Sequence, residues 1–201
     1  MRAKIAALVA SAILIFSSAA TAQVAWDSPQ LIPSSPPAYP ELGIYLIDGA
    51  GAGVGAMVKW RSSAAPYVGF RLGLADGGHR GGDGISALGG VEVMGRLTRA
   101  TQEFPLDMTW FFGAGAGVGD RARVSFPLGI SVGHDFEGDG VLFRPYASPR
   151  VVLDGVFGSN GGLDLGLAVD VGIDIGFQPS WLIRFGGTFG DREAIAVGVV
   201  L

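Results

Sequence analysis

The sequence predicts an all-β protein: a closed antiparallel up-and-down barrel whose outer face is apolar enough to lie in a membrane. Three observations carry that expectation. From Leu163 to Gln178 the chain alternates without a slip, with Leu163, Leu165, Leu167, Val169, Val171, Ile173, Ile175 and Phe177 on one parity and Asp, Gly, Ala and Gln on the other. A period of two is the signature of a strand with one greasy face. The run exceeds the five or six residues usual in a soluble sheet and suits a tilted strand crossing a bilayer. Second, charged residues make up only 16 % of the chain, against about a quarter in soluble domains. A soluble sandwich needs a charged outer face, and this chain has too few charges to build one. Third, the 34 glycines of the 201 residues alternate with Val, Leu, Ile and Phe instead of clustering as linkers. That arrangement fits the crowded inner face of a narrow barrel.

The elements follow in order. Residues 1–22 read as an export signal: Arg2 and Lys4 supply the positive start, Ile5 to Phe16 the apolar core, and Ala20-Thr21-Ala22 the small-x-small cleavage site. Residues 23–42 form a proline-rich arm. Proline removes donors and favours extended backbone, so the arm reads as a spacer, with a plug or a docking segment as the alternatives. Residues 43–201 make the barrel. The first run, 43–61, is long and laden with glycine. Further runs cover 67–75, 85–97, 106–119, 121–133, 141–154, 163–178, 181–190 and 193–201. Pro145 and Pro149 predict a bulge or a strand end within 141–154. Nine runs conflict with the even strand number of single-chain barrels. Eight strands, a size whose interior side chains can fill, is the preferred count; ten follows if the first run is two strands.

Composition excludes several function classes. A formal net charge of −4 gives no nucleic-acid footprint. With no cysteine there is neither a disulfide scaffold nor a thiolate-bound metal. The heptapeptide GAGAGVG occurs at 49–55 and again at 113–119. Gly51, Gly53 and Ala56 fit a dinucleotide fingerprint, but that motif needs a following helix. Ser62, Ser63 and Pro66 leave no room for one, so no cofactor is expected. His134-Asp135 lies three residues after Ser131, which places Ser131 and His134 on opposite faces of a regular strand. A nucleophile–base pair does not form that way, and no enzyme activity is predicted. His79 lies in the glycine-rich loop 76–83, and no histidine cluster has metal-ligand spacing.

The candidate site is the set of charges on the inward parity: Arg71, Glu92, Arg96, Arg123, Asp170, Asp174 and Arg184. Their signs are mixed, so they are predicted to pair inside the barrel, with a polar pore or ligand site as the alternative use. Aromatic residues gather at run ends, with Trp60 and Tyr67 about one turn and Phe177 and Trp181 about another. Interfacial girdles sit at such places.

An export signal, alternating strands through the mature chain and a final amphipathic strand (Ile195, Val197, Val199) resemble the small outer-membrane β-barrel families of Gram-negative bacteria. The resemblance implies residence in the outer membrane, contact with its lipid, and insertion by the barrel-assembly machinery. In those families the last residue is usually aromatic, whereas here it is Leu201. The function this implies is a structural, narrow-pore or surface-binding role. A lipid-modifying enzyme and a secreted soluble β-sandwich are the rival classes.

Overall fold

In the computed structural model, residues 28–36, 40–49, 53–76, 85–118, 122–157, 161–178 and 180–201 are described. The export signal at 1–22 and the loop carrying His79 lie outside them. Ten long strands close into one antiparallel barrel: β1 (Glu41–Gly49), β2 (Gly53–Arg61), β3 (Val68–Asp76), β4 (Ile85–Thr98), β5 (Asp107–Val118), β6 (Ala122–Gly133), β8 (Val141–Phe157), β9 (Gly162–Gln178), β10 (Trp181–Gly190) and β11 (Ala194–Val200). Each pairs with its neighbours in sequence, β6 pairs with β8, and β1 pairs with β11 to shut the sheet. Leu42 and Leu201 exchange backbone hydrogen bonds of 3.1 and 2.9 Å just beyond that last ladder. A three-residue strand, β7 (Phe136–Gly138), pairs only with β8 and stands outside the wall.

The preferred count of eight strands is therefore corrected to ten. The long first run is a hairpin, with β1 and β2 paired from Glu41↔Arg61 to Gly49↔Gly53. Its turn is hidden in the first GAGAGVG copy, because glycine serves equally well in a turn and on a crowded inner face. Gly53, at φ +73°, holds the left-handed backbone there, and a Cβ at that position would lie 2.6 Å from the Asp76 carbonyl oxygen. The second copy has no turn in its first five residues. Gly113, Gly115 and Gly117 run straight along the inner face of β5, opposite Ala114, Ala116 and Val118 on the outer face.

The bulge expected from Pro145 and Pro149 is also corrected. β8 keeps one unbroken register with β9 from Leu142↔Gly176 to Val156↔Gly162. The missing N–H is felt on the other side, where the ladder to β6 lapses between Gly129↔Arg150 and Val132↔Ala147, opposite Pro149. The β5–β6 ladder lapses in the same way beside Pro127, between Phe112↔Leu128 and Gly115↔Ser125. One absent donor removes a local bond without bending the strand.

The outer face is apolar around the whole circumference. Ile44, Leu46, Val54, Leu72, Leu74, Phe112, Leu128, Leu153, Leu165, Leu167, Val171, Phe185 and Ile195 are among its exposed side chains. The outward charges on the ten strands are Asp48 and Asp76, both at the end where β1 and β3 finish. A strand rising about 3.3 Å per residue and tilted ~40° needs nine or ten residues for an apolar band ~25 Å tall. β4, β5, β6, β8 and β9 all have that length. Trp60, Trp110 and Trp181 sit at the opposite end, where the chain enters β1 and leaves β11; Trp60 stacks on Phe70 at 5.4 Å and Phe177 lies 5.5 Å from Trp181. This end is called the tryptophan end below.

Candidate functional site: a lumen filled by charges and by the chain's own arm

The described part of the arm, 28–36, does not behave as the expected spacer. Residues 28–36 run inside the barrel, and Gln30, Leu31, Ile32 and Ser34 are each no more than 1 % exposed. The chemistry follows from the composition. Pro29, Pro33 and Pro36 remove N–H groups but keep their carbonyls, so the arm is rich in acceptors and poor in donors. The wall supplies what it lacks. Lys59 Nζ donates to the carbonyls of Gln30 and Leu31, each at 2.9 Å. Arg71 Nη2 donates to the Gln30 carbonyl at 2.9 Å and to Gln30 Oε1 at 3.0 Å. Arg184 Nη1 donates to the Leu31 carbonyl at 3.2 Å, Ser131 Oγ to Ile32 at 2.8 Å, and Thr109 Oγ1 to Ser34 at 2.5 Å. In the other direction, the Gln30 N–H donates to Asp170 Oδ2 at 3.2 Å. Leu31 holds φ +53°, a conformation that costs a non-glycine residue on the order of 1 kcal/mol or more and persists where its surroundings over-determine it. Ile32 packs with Met94 and Phe111, and Leu31 with Tyr45, Ile47 and Met57.

Around the arm the charges form separate groups. On β2–β4, Glu92 receives Lys59 at 2.8 Å, Arg61 at 2.9 Å and Arg71 at 2.6 Å, all four side chains being buried. Gly69 stands between Arg61 and Glu92 in the register and makes room for them; a Cβ there would lie 2.9 Å from Glu92 Oε1 and 3.0 Å from Arg61 Nη2. Arg61 Nε and Nη1 are buried without a hydrogen-bond partner. On β9 and β10, Arg184 grips Asp174 through two bonds of 2.6 and 2.8 Å, and also meets Glu41 and, at 3.3 Å, Tyr45 Oη. Arg144 makes a two-pronged pair with Asp135 at 2.6 and 2.7 Å and approaches Asp174 at 3.5 Å. Ser35 of the arm adds a 3.3 Å bond to Asp135. Asp170 takes Arg150 Nη2 at 3.1 Å and Thr188 Oγ1 at 2.7 Å. Near the far end Asp154 holds Arg192 and Ser125.

Of the seven residues singled out by parity, Arg71, Glu92, Asp170, Asp174 and Arg184 are buried in the lumen, Arg71 with Glu92 and Arg184 with Asp174. Arg123 is half-buried on the inner face of β6. Arg96 is exposed near the tryptophan end, opposite Thr109 in the register. Lys59, Arg61, Glu41, Arg144, Arg150 and Asp154 belong to the same interior. Lys59 and Arg61 share parity with Met57, opposite Val58 and Trp60, and that alternation is the signal that reveals them. Arg144 and Arg150 lie in the run with two prolines, whose facing the sequence left open, and Glu41 fell within the arm.

The inward parity also fills the barrel with uncharged bulk. Tyr45, Met57, Met94, Phe111, Tyr146 and Val152 are buried there. A water-filled channel would leave such wall residues accessible. Ser131 has its hydroxyl committed to the arm, while the His134 ring lies edge-on to Phe136 at 4.7 Å. Among the described residues no cluster of three His, Cys, Asp or Glu could hold a metal ion.

No family model and no curated protein matches the chain. Solved structures similar to it include a de novo designed transmembrane β-barrel, at 11 % identity over 83 % of this chain and 98 % of that one, with a TM-score of 0.36. The KdgM porin in complex with disordered oligogalacturonate matches at 8 % identity over 80 % and 97 %, with a TM-score of 0.37. Neisserial surface protein A matches at 12 % over 81 % and 95 %, with a TM-score of 0.35. At such scores the role of this chain rests on its own residues.

Proposed function

We propose that this protein is an integral outer-membrane β-barrel, closed in its resting state by its own N-terminal arm, with a structural or surface role in which no chemical step takes part. The observation that carries this reading is the contrast between the two faces of one closed sheet. The outer face exposes a continuous band of Leu, Val, Ile and Phe, and the inner face holds the charges and the arm. A soluble sandwich would place these faces the other way round. A closed sheet also leaves no unpaired edge in hydrocarbon. Its partners on this reading are outer-membrane lipid, and the assembly machinery during insertion. Ser131, the serine considered for the enzyme alternative, points into the filled lumen and donates to the Ile32 carbonyl, which favours the non-enzymatic reading.

The cysteine-free sequence makes the test clean. A single Ile32→Cys variant, taken from an outer-membrane fraction in cold detergent, is expected to resist a water-soluble maleimide until the barrel is boiled. A control Arg99→Cys, in the exposed β4–β5 loop, is expected to label at once. Equal labelling of both in the folded protein would place the arm outside the lumen and end the closed-barrel reading.

A further inference from the structure

We propose that the arm's oxygen atoms occupy a latent oxyanion site: when the arm withdraws, Lys59, Arg61, Arg71 and Arg184 take a carboxylate or phosphate group in its place and make the vacated barrel an anion-selective passage. The inference rests on the closed-barrel reading above and goes one step past it, to the chemistry of what the lumen admits.

On the wall formed by β2, β3 and β4, three buried cations share one carboxylate, Glu92. The groups on β8, β9, β10, β1 and the loops beside them hold no such excess of cations, with Arg144, Arg150, Arg184 and Arg192 set against Asp135, Asp154, Asp170, Asp174 and Glu41. One wall of the lumen thus carries an excess of cations and the other does not. The arm segment lying against the positive wall, 28–36, carries no charge of its own. What it offers is oxygen. The carbonyls of Gln30 and Leu31 and the Gln30 Oε1 receive Lys59 Nζ, Arg71 Nη2 and Arg184 Nη1 within 3.2 Å. Three neutral oxygens, converging on donors from three different strands, trace the outline of a bound oxyanion.

A second observation points the same way. Arg61 already gives Nη2 to Glu92, yet its Nε and Nη1 are buried and have no partner. A buried guanidinium with free donors is costly unless a further acceptor reaches it, and a planar two-oxygen group is the acceptor its fork fits. Withdrawal of the arm also removes the oxygens that Gln30 and Leu31 give to Lys59, Arg71 and Arg184, while the wall partners Glu92, Asp174 and Glu41 stay. In a narrow passage with low-dielectric walls, three cations that share one carboxylate favour anions over cations.

Planar-bilayer recording on the full-length chain tests this. Ile32→Asp puts a carboxylate between Met94 and Phe111 and so drives the arm from its seat. A second form carries a protease site inserted after Pro36 and is cut after the barrel has folded. Unmodified protein is expected to be silent. Both altered forms are expected to conduct with chloride several-fold more permeant than potassium, and inorganic phosphate is expected to block that chloride current. Adding Lys59→Gln and Arg71→Gln should abolish the preference and the block together. Conduction without anion preference or phosphate block would overturn the oxyanion site and leave the closed barrel standing. Silence in both altered forms, on protein whose gel band still shifts on heating, would also overturn it. An unmodified chain that conducts as well as the altered ones would instead overturn the closed-barrel reading itself.

Discussion

At Glu92 one carboxylate answers Lys59, Arg61 and Arg71 inside the lumen. An ion cluster of this kind adds little net stability over a well-packed apolar set, because desolvation offsets its attraction. Losing one partner is a different matter, since the others remain buried with their charge uncompensated. Glu92→Gln is therefore expected to destabilise the barrel by about 3–5 kcal/mol, read as a fall in the urea midpoint of protein refolded into lipid micelles. On the outer face the same scale of reasoning applies to Val171, which is half exposed midway along β9. Val171→Arg should cost about 2–4 kcal/mol at mid-membrane, and a neutral result in lipid would contradict the assigned facing. Parity alone placed both residues, since an odd–even rule decides which face a strand residue takes. Parity could not say which inward charges meet. The grouping of Lys59 and Arg71 with Glu92 depends on cross-strand register, which is set across three strands and not within one.

Among the elements, the glycines show how a barrel this narrow accommodates its large inward side chains. Tyr45 lies over Gly43 and Gly198, and Tyr146 lies over Gly172, so closely that a Cβ at any of the three would overlap the ring. Gly172→Ala is expected to destabilise by about 1–3 kcal/mol through overpacking, measured by the same urea titration. Gly162→Ala, with open space where the methyl would go, should be neutral to within about 0.5 kcal/mol. Most strands were legible at this scale because their two faces differ so sharply. The β1–β2 hairpin was not, because glycine supplies both the turn and the inner face there. The arm was not legible either. Its prolines announce an extended, acceptor-rich segment, but whether that segment meets water or a wall of Lys and Arg is decided by residues up to 153 positions away, such as Arg184 with Leu31.

For the whole molecule, two arrangements follow from one composition. The charges that the ten strands carry lie on the inner parity, Asp48 and Asp76 excepted, which leaves an apolar outside of the kind that lipid or detergent solvates. The carbonyls of a proline-rich arm, drawn to that charged interior, close the passage the sheet would otherwise enclose. The tryptophans at one end and the lone outward aspartates at the other mark where the apolar band stops, as interfacial residues do in a bilayer. Closing the sheet through β1 and β11 makes the two ends of the barrel sequence depend on each other for their ladders.

Gel mobility in cold detergent tests most directly whether this sheet is closed and faces lipid. Protein from an outer-membrane fraction, run unboiled, is expected to migrate as a compact species and to shift to its unfolded position on heating. A chain that stays soluble without detergent and shows one unchanged band would contradict the account, since its apolar faces would then have to pack against each other.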